Sequence, residues 1–260
     1  MVRAILRYMA KARDEHSLHS PFVFGLYTQI IRAPKADLSQ FSDIQALRRL
    51  LRRSRQVIEI TDFGAGSQVN ASRCRAVGNI VRHSEKPARF GRLLYRLVRR
   101  FEAQTLFDLG TSFGLTTAYL AKAAGETGGR VITFEGCPQT AAVAVENFGR
   151  LGIGNVEVIV GNLDETLEQQ VAAVAQLDLV FFDANHRYEP TLRYFTACLA
   201  NSHNNSVFIF DDIHWSAEME QAWEEIKAHP AVTVTIDLFY IGLVFFRREQ
   251  PKQHFTLKFL

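Results

Sequence analysis

Four apolar runs of this chain end in carboxylates: TLFD at Asp108, VITFE at Glu135, LVFFD at Asp183, and VFIFDD at Asp211 and Asp212. His186 follows the third of them by three positions. Carboxylates gathered at strand ends repel one another unless a cation or protons neutralise them, and oxygen-only ligands favour Mg²⁺, Ca²⁺ or Mn²⁺ over zinc. An imidazole among them can accept a proton near neutral pH. A carboxylate standing alone at a strand end, as Glu135 does, can accept from both hydroxyls of a ribose, which by itself indicates a nucleoside cofactor and no more.

The element that would position these groups is the stretch Thr105–Thr117, TLFDLGTSFGLTT, in which a short apolar run breaks into a glycine-bearing turn and then into the helical pattern LTTAYLAKAA. Gly110 and Gly114 let such a loop press its backbone against a ligand, and the following helix points unpaired N–H groups back at it. The spacing is not that of a dinucleotide fingerprint, since Ser112 occupies the middle glycine position. From Thr105 onward, apolar segments alternate with helical ones, which predicts an α/β fold with a mostly parallel sheet and helices on both faces. The strands are expected at Thr105–Asp108, Val131–Phe134, Val156–Val160, Leu177–Phe182 and Ser206–Phe210, followed by a hairpin formed by Val232–Ile236 and the run LVFFR. That makes seven strands, with the last antiparallel.

The pattern D-x-G-x-x-x-G-x-T from Asp108 to Thr116 resembles the first motif of class I S-adenosylmethionine-dependent methyltransferases, in the variant carried by catechol and caffeoyl-CoA type O-methyltransferases. The stretch DLVFFDANHRYEPTLRYF, residues 178–195, resembles their fourth motif, and VFIFDDIHWS places Asp211 and Asp212 where those enzymes carry an Asp-Asn metal pair. Tyr188, Glu189 and His186, which stands where a catalytic Lys is usual, look closer still to a bacterial branch of the same superfamily whose substrates are largely unassigned. The resemblance covers residues 88–247 and implies a Rossmann-like sheet and S-adenosyl-L-methionine as cofactor. It implies cofactor contacts from Asp108, Gly110, Ser112, Gly114, Thr116, Glu135 and Asp183, with Asn162 either beside the adenine or an ordinary loop residue. It further implies a divalent ion such as Mg²⁺ on Asp183, Asp211 and Asp212, with His186 as general base. The expected activity is O-methylation of a small molecule; RNA or another polyanion as acceptor, or a non-catalytic cofactor-binding module, are the alternatives.

The first 85 residues are not explained by that resemblance. They read as helices: ILRYMAKA, FVFGLYTQIIR with Ser20 as cap and Pro21 in its first turn, and DIQALRRLLRRSR with Ile44, Leu47, Leu50 and Leu51 opposed to Arg48, Arg49, Arg52 and Arg53. A second glycine stretch, VIEITDFGAGS at residues 57–67, is expected to be a loop between helices rather than the cofactor turn. Residues 1–100 carry 20 Lys and Arg against 7 Asp and Glu, whereas residues 101–260 carry 10 against 20. This lopsidedness places a domain boundary near residue 100, between a basic helical cap and the catalytic domain, and suits either a solvated face or an anionic partner. The run of apolar residues needed for a membrane span is missing, and Cys74, Cys137 and Cys198 lack the spacing of a zinc site or disulfide framework, so the expected setting is cytoplasmic. A homodimer is left open.

Overall fold

A computed structural model describes residues 2–33, 39–61 and 74–259. Its helices are α1 (Val2–Lys11), α2 (Pro21–Leu26), α3 (Ser42–Arg53), α4 (Val77–Ser84), α5 (Ala88–Phe101), α6 (Leu115–Gly125), α7 (Pro138–Arg150), α8 (Leu163–Ala172), α9 (Tyr188–Leu199) and α10 (Ala217–Ala228). Its strands are β1 (Val57–Glu59), β2 (Cys74–Ala76), β3 (Thr105–Leu109), β4 (Arg130–Glu135), β5 (Val156–Val160), β6 (Leu177–Phe182), β7 (Ser202–Asp211), β8 (Val234–Asp237), β9 (Ile241–Phe245) and β10 (Gln253–Thr256). An eight-stranded sheet runs in the order β10-β8-β9-β7-β6-β3-β4-β5, with β9 antiparallel to both of its neighbours. The expected seven strands and their antiparallel member are therefore present, in a Rossmann-like arrangement. The eighth, β10, lies parallel to β8, and its short polar sequence QHFT gave no alternating apolar pattern to announce it.

The chain divides into two compact units, Lys35–Thr166 and Met1–Pro34 with Leu167–Leu260, a partition drawn elsewhere than at residue 100. In the first unit β3, β4 and β5 pair in parallel, Asp108 opposite Thr133 and Glu135 opposite Val160. Arginines line the exposed side of α3, while Ile44, Leu47 and Leu51 join Phe41, Ile58, Val77, Val81 and Tyr119 in one core cluster. Leu50, grouped with those apolar residues in sequence, is instead 52% exposed. Gly91 allows α5 to lie against the Tyr119 ring of α6, where any Cβ would collide. The segment Asp62–Ser67 of the second glycine stretch and Arg73 lie outside the described residues; the flanking β1 and β2 form an antiparallel pair.

In the second unit β7 pairs with β6 on one side and β9 on the other, and the Phe182 and Phe210 rings stack 4.2 Å apart across β6 and β7. Ser20 caps α2, its hydroxyl accepting from the Val23 amide at 3.4 Å, and the helix continues as a π turn through Tyr27–Ile31. Helices α1 and α2 are fastened to the C-terminal part of the chain. The Tyr8 hydroxyl donates to the Leu257 carbonyl, the Tyr27 hydroxyl donates to Lys258 O at 2.9 Å, and Phe22 packs edge-on against Phe245.

Candidate active site

In the first unit, Asp108 is wholly buried at the penultimate position of β3. Its Oδ2 accepts from Thr117 Oγ1 at 2.6 Å and Thr133 Oγ1 at 2.9 Å, and Thr133 in turn shares a 2.7 Å hydrogen bond with Thr111. Its Oδ1 is buried without a hydrogen-bond partner among the described residues. Burial pushes its pKa up to about 6, and the nearby Glu135 charge adds to the rise, against the pull of the two threonine hydroxyls. A carboxyl that holds its proton more tightly when folded than the ordinary value of about 3.8 stabilises the fold most below that value. That contribution disappears as pH climbs towards 6, about 3 kcal/mol at roughly 1.4 kcal/mol per pH unit. Urea unfolding from pH 4 to 7 should show this slope in the wild type and a flatter curve in Asp108→Asn.

The loop after β3 is shaped by left-handed residues: Gly110 at φ 121°, Ser112 at 48° and Gly114 at 78°. Glycine tolerates this conformation at no steric cost, and at Gly114 a Cβ would also stand 2.6 Å from the Phe148 ring. Gly114→Ala therefore combines backbone strain with overpacking. It should lower stability by about 2–4 kcal/mol, read from the denaturant midpoint. Asn147 of α7 fastens the same loop, donating from Nδ2 to Phe113 O at 2.9 Å. The loop leads into α6, whose first turn carries the half-buried Thr116.

Glu135, at the end of β4, closes this arrangement. One carboxylate oxygen accepts from the Ser112 amide at 2.8 Å and the other from the Cys137 amide at 2.9 Å. The acid is thus oriented by the glycine loop on one side and by the start of α7 on the other. Asn162 begins α8, its Oδ1 accepting from the Asp164 amide at 3.1 Å and its carbonyl from the Glu165 and Thr166 amides. This is an N-cap, a structural duty the side chain performs whatever lies beside it.

In the second unit, Asp183 follows β6 and Asp211 ends β7, buried at 1% exposure. Asp183, His186 and Asp211 each place one ligand atom within 4.8 Å of the others. The His186 Nε2 lies 3.5 Å from Asp183 Oδ1. Burial would lower the His186 pKa, but the hydrogen bond and charge of Asp183, with the charges of Asp211 and Asp212, outweigh it and hold the imidazole above its ordinary 6.5. Asp212 stands outside that three-residue group, with φ at 54° and its amide donating to Tyr240 O at 2.7 Å. His214, two residues on, lines a cavity of about 300 Å³ with Arg7 and Asp237, its ring bonded to Asp237 at 2.9 Å and Glu220 at 3.2 Å.

A family model described as a methyltransferase domain matches residues 107–213, from within β3 to just beyond β7. That segment is similar to a methyltransferase domain. Catechol O-methyltransferase of Mycobacterium tuberculosis (strain H37Rv) is 34% identical over 127 residues, 48% of this chain and 56% of that protein. The chain spans about half the length of the curated relatives it matches. Among solved structures, cofactor-bound Rv0187 from MTB superposes with a TM-score of 0.59 at 19% identity, covering 89% of this chain and 99% of that one. The O-methyltransferase from Bacillus cereus in complex with SAH gives 0.57 at 21% identity, covering 86% and 97%. These two establish the fold of the chain surrounding the methyltransferase segment.

Within that segment, the structure joins Asp108, Gly110, Ser112, Gly114 and Glu135 into one constellation and Asp183, His186 and Asp211 into another. Sequence reasoning missed Thr117, Thr133 and Asn147, which support the first. The one available signal was physical: an acid inside an apolar strand needs hydroxyl donors, but several threonines nearby could have supplied them.

Proposed function

We propose that this protein transfers the methyl group of S-adenosylmethionine to a hydroxyl oxygen of a small molecule. The observation that carries the reading is the carboxylate of Glu135, fixed by the Ser112 and Cys137 amides at the end of the second strand of the methyltransferase segment. A carboxylate can accept more than two hydrogen bonds, and pairing with two vicinal ribose hydroxyls uses that capacity. The loop bearing Gly110 and Gly114 brings bare backbone to the same constellation, which suits the remainder of a nucleoside cofactor. The catechol O-methyltransferase relatives support oxygen as the acceptor atom.

The second constellation fits a divalent cation. Asp183 and Asp211 offer carboxylate oxygens that Mg²⁺, Mn²⁺ or a related ion accepts, with the His186 imidazole within 4.8 Å of both, and burial of Asp211 gives a cation a strong electrostatic reason to bind there. Asp183 and Asp211 would hold the ion, which when bound lowers the pKa of an acceptor hydroxyl. His186 takes the hydroxyl proton. The oxygen lone pair then forms the new bond to the methyl carbon as the carbon–sulfur bond breaks, and S-adenosylhomocysteine departs neutral at sulfur. Holding nucleophile and methyl donor in line supplies much of the acceleration in such a displacement.

Calorimetry with S-adenosylmethionine and with NAD tests the cofactor assignment. Micromolar binding of the first, with none of the second, is expected. Preference for NAD would refute it. Transfer of labelled methyl from S-adenosylmethionine to a panel of catechols and other hydroxylated acceptors then tests the reaction.

A further inference from the structure

The C-terminal end of α3 is a basic surface that the methyl-transfer reading does not use. Arg49, Arg52, Arg53 and Arg55 are exposed there, and Arg49, Arg53 and Arg55 make no ion pair among the described residues. The acids of this region are largely engaged. Glu85 pairs with Arg48 at 2.7 Å and also feels the charge of Arg52, and Asp43 pairs with Lys122 at 2.7 Å, which leaves Glu59 exposed on β1. Arg82 of α4 joins the patch from the other side, donating to Arg52 O at 2.6 Å and to Asn79 at 2.8 Å.

The surface is built rather than frayed. The Val77 amide donates to Gln56 O at 2.9 Å and the Gly78 amide to Ser54 O at 3.2 Å, so the start of α4 is tied to the connector that carries Arg55. A side chain at Gly78 would meet Ser54 O at 2.6 Å, which shows how closely the two segments approach. Two large aliphatic residues stand exposed among the arginines, Leu50 at 52% and Val57 at 61%. On α3, Leu50 lies one position from Arg49 and three from Arg53, at the margin of the arginine-bearing face opposite Ile44, Leu47 and Leu51.

We propose that this face docks on an anionic phospholipid surface. Arginines attract the phosphate and carboxylate charge of such headgroups, while exposed aliphatic side chains gain by entering the acyl boundary. A nucleic acid would be served by aromatic side chains on which bases can stack, and no Phe, Tyr or Trp is exposed among the described residues of this patch. Each basic residue at such a surface contributes about fivefold in partitioning, so four arginines together contribute roughly six-hundredfold.

The test is co-sedimentation of the full chain with vesicles of phosphatidylcholine alone and of phosphatidylcholine containing phosphatidylserine. Binding to the anionic vesicles only, weakening with salt, is expected. The combined change of Arg49, Arg52, Arg53 and Arg55 to Gln should reduce it at least a hundredfold, and Leu50→Ser with Val57→Ser severalfold at unchanged salt dependence. Circular dichroism checks that both variants remain folded; if the fourfold variant does not, the paired Arg53→Gln and Arg55→Gln change should still give more than a tenfold loss. Absence of binding to anionic vesicles overturns the proposal, as does binding indifferent to these arginines. Tighter binding of a single-stranded RNA oligonucleotide than of anionic vesicles, lost in the same variants, would also overturn it and make the face a nucleic-acid surface.

Discussion

Replacing Glu135 with alanine should weaken S-adenosylmethionine binding by about 3 kcal/mol, on the order of a hundredfold in Kd measured by calorimetry. The loss has two sources. Hydrogen bonds from ribose hydroxyls to a charged acceptor are worth about 1.5–3 kcal/mol. The same carboxylate also holds the Ser112 and Cys137 amides, at 2.8 and 2.9 Å, so its removal frees the glycine loop as well. Glu135→Gln separates the two effects. Its side-chain carbonyl can still accept from one amide, but its NH₂ group faces a second donor, so an intermediate loss is expected with stability nearly that of the wild type. If neither variant changes affinity, Glu135 is a structural clasp for the loop and the ribose assignment is wrong.

The parts of the molecule that were legible in the sequence are those where local chemistry and global fold demand the same residues. Strands β3, β4, β6 and β7 are apolar runs punctuated by acids, and punctuation of that kind marks the end of a strand whichever way the sheet is ordered. The cap at Ser20 was legible because Ser followed by Pro has few other uses. Strand β7 begins at Ser202, five residues before the apolar run VFIF, because HNN carries no strand pattern and is ordered by partners instead, with the His203 amide donating to Ser206 Oγ at 2.8 Å. Asn162 shows the limit from the other side. Its type and position allowed two roles, and only the hydrogen bonds to Asp164, Glu165 and Thr166 reveal that it caps a helix. The grouping of His186 with Asp183 and Asp211, with Asp212 outside it, could not be read from spacing. Adjacent residues on a strand point to opposite faces, and the left-handed φ of Asp212 changes its course again.

Turnover should fall by about 10²- to 10⁴-fold in His186→Ala, the range a positioned general base contributes, while Asp211→Ala should abolish divalent-ion binding. The two results together divide the roles within the constellation. As a base, His186 is needed for the rate but not for the ion, so Mn²⁺ affinity of His186→Ala, followed by titration calorimetry or electron paramagnetic resonance, should stay within about threefold of wild type. As a ligand, it would be needed for both, and Mn²⁺ affinity would fall together with the rate. Asp211 is the sharper probe of the ion because it is buried and lies among like charges, an arrangement that a cation relieves and that alanine removes. The pH dependence has a fixed sign. Without a cation, the surrounding carboxylates keep His186 protonated above its ordinary 6.5, and an imidazolium neither accepts a proton nor tolerates a neighbouring ion. Ion binding should therefore strengthen as pH rises through that raised value and release protons as it does so. In His186→Ala that proton release should disappear. If His186→Ala keeps the full rate across neutral pH and chelator leaves the wild type untouched, neither base nor ion takes part, and methyl transfer proceeds from an acceptor that arrives ionised and is merely held in place.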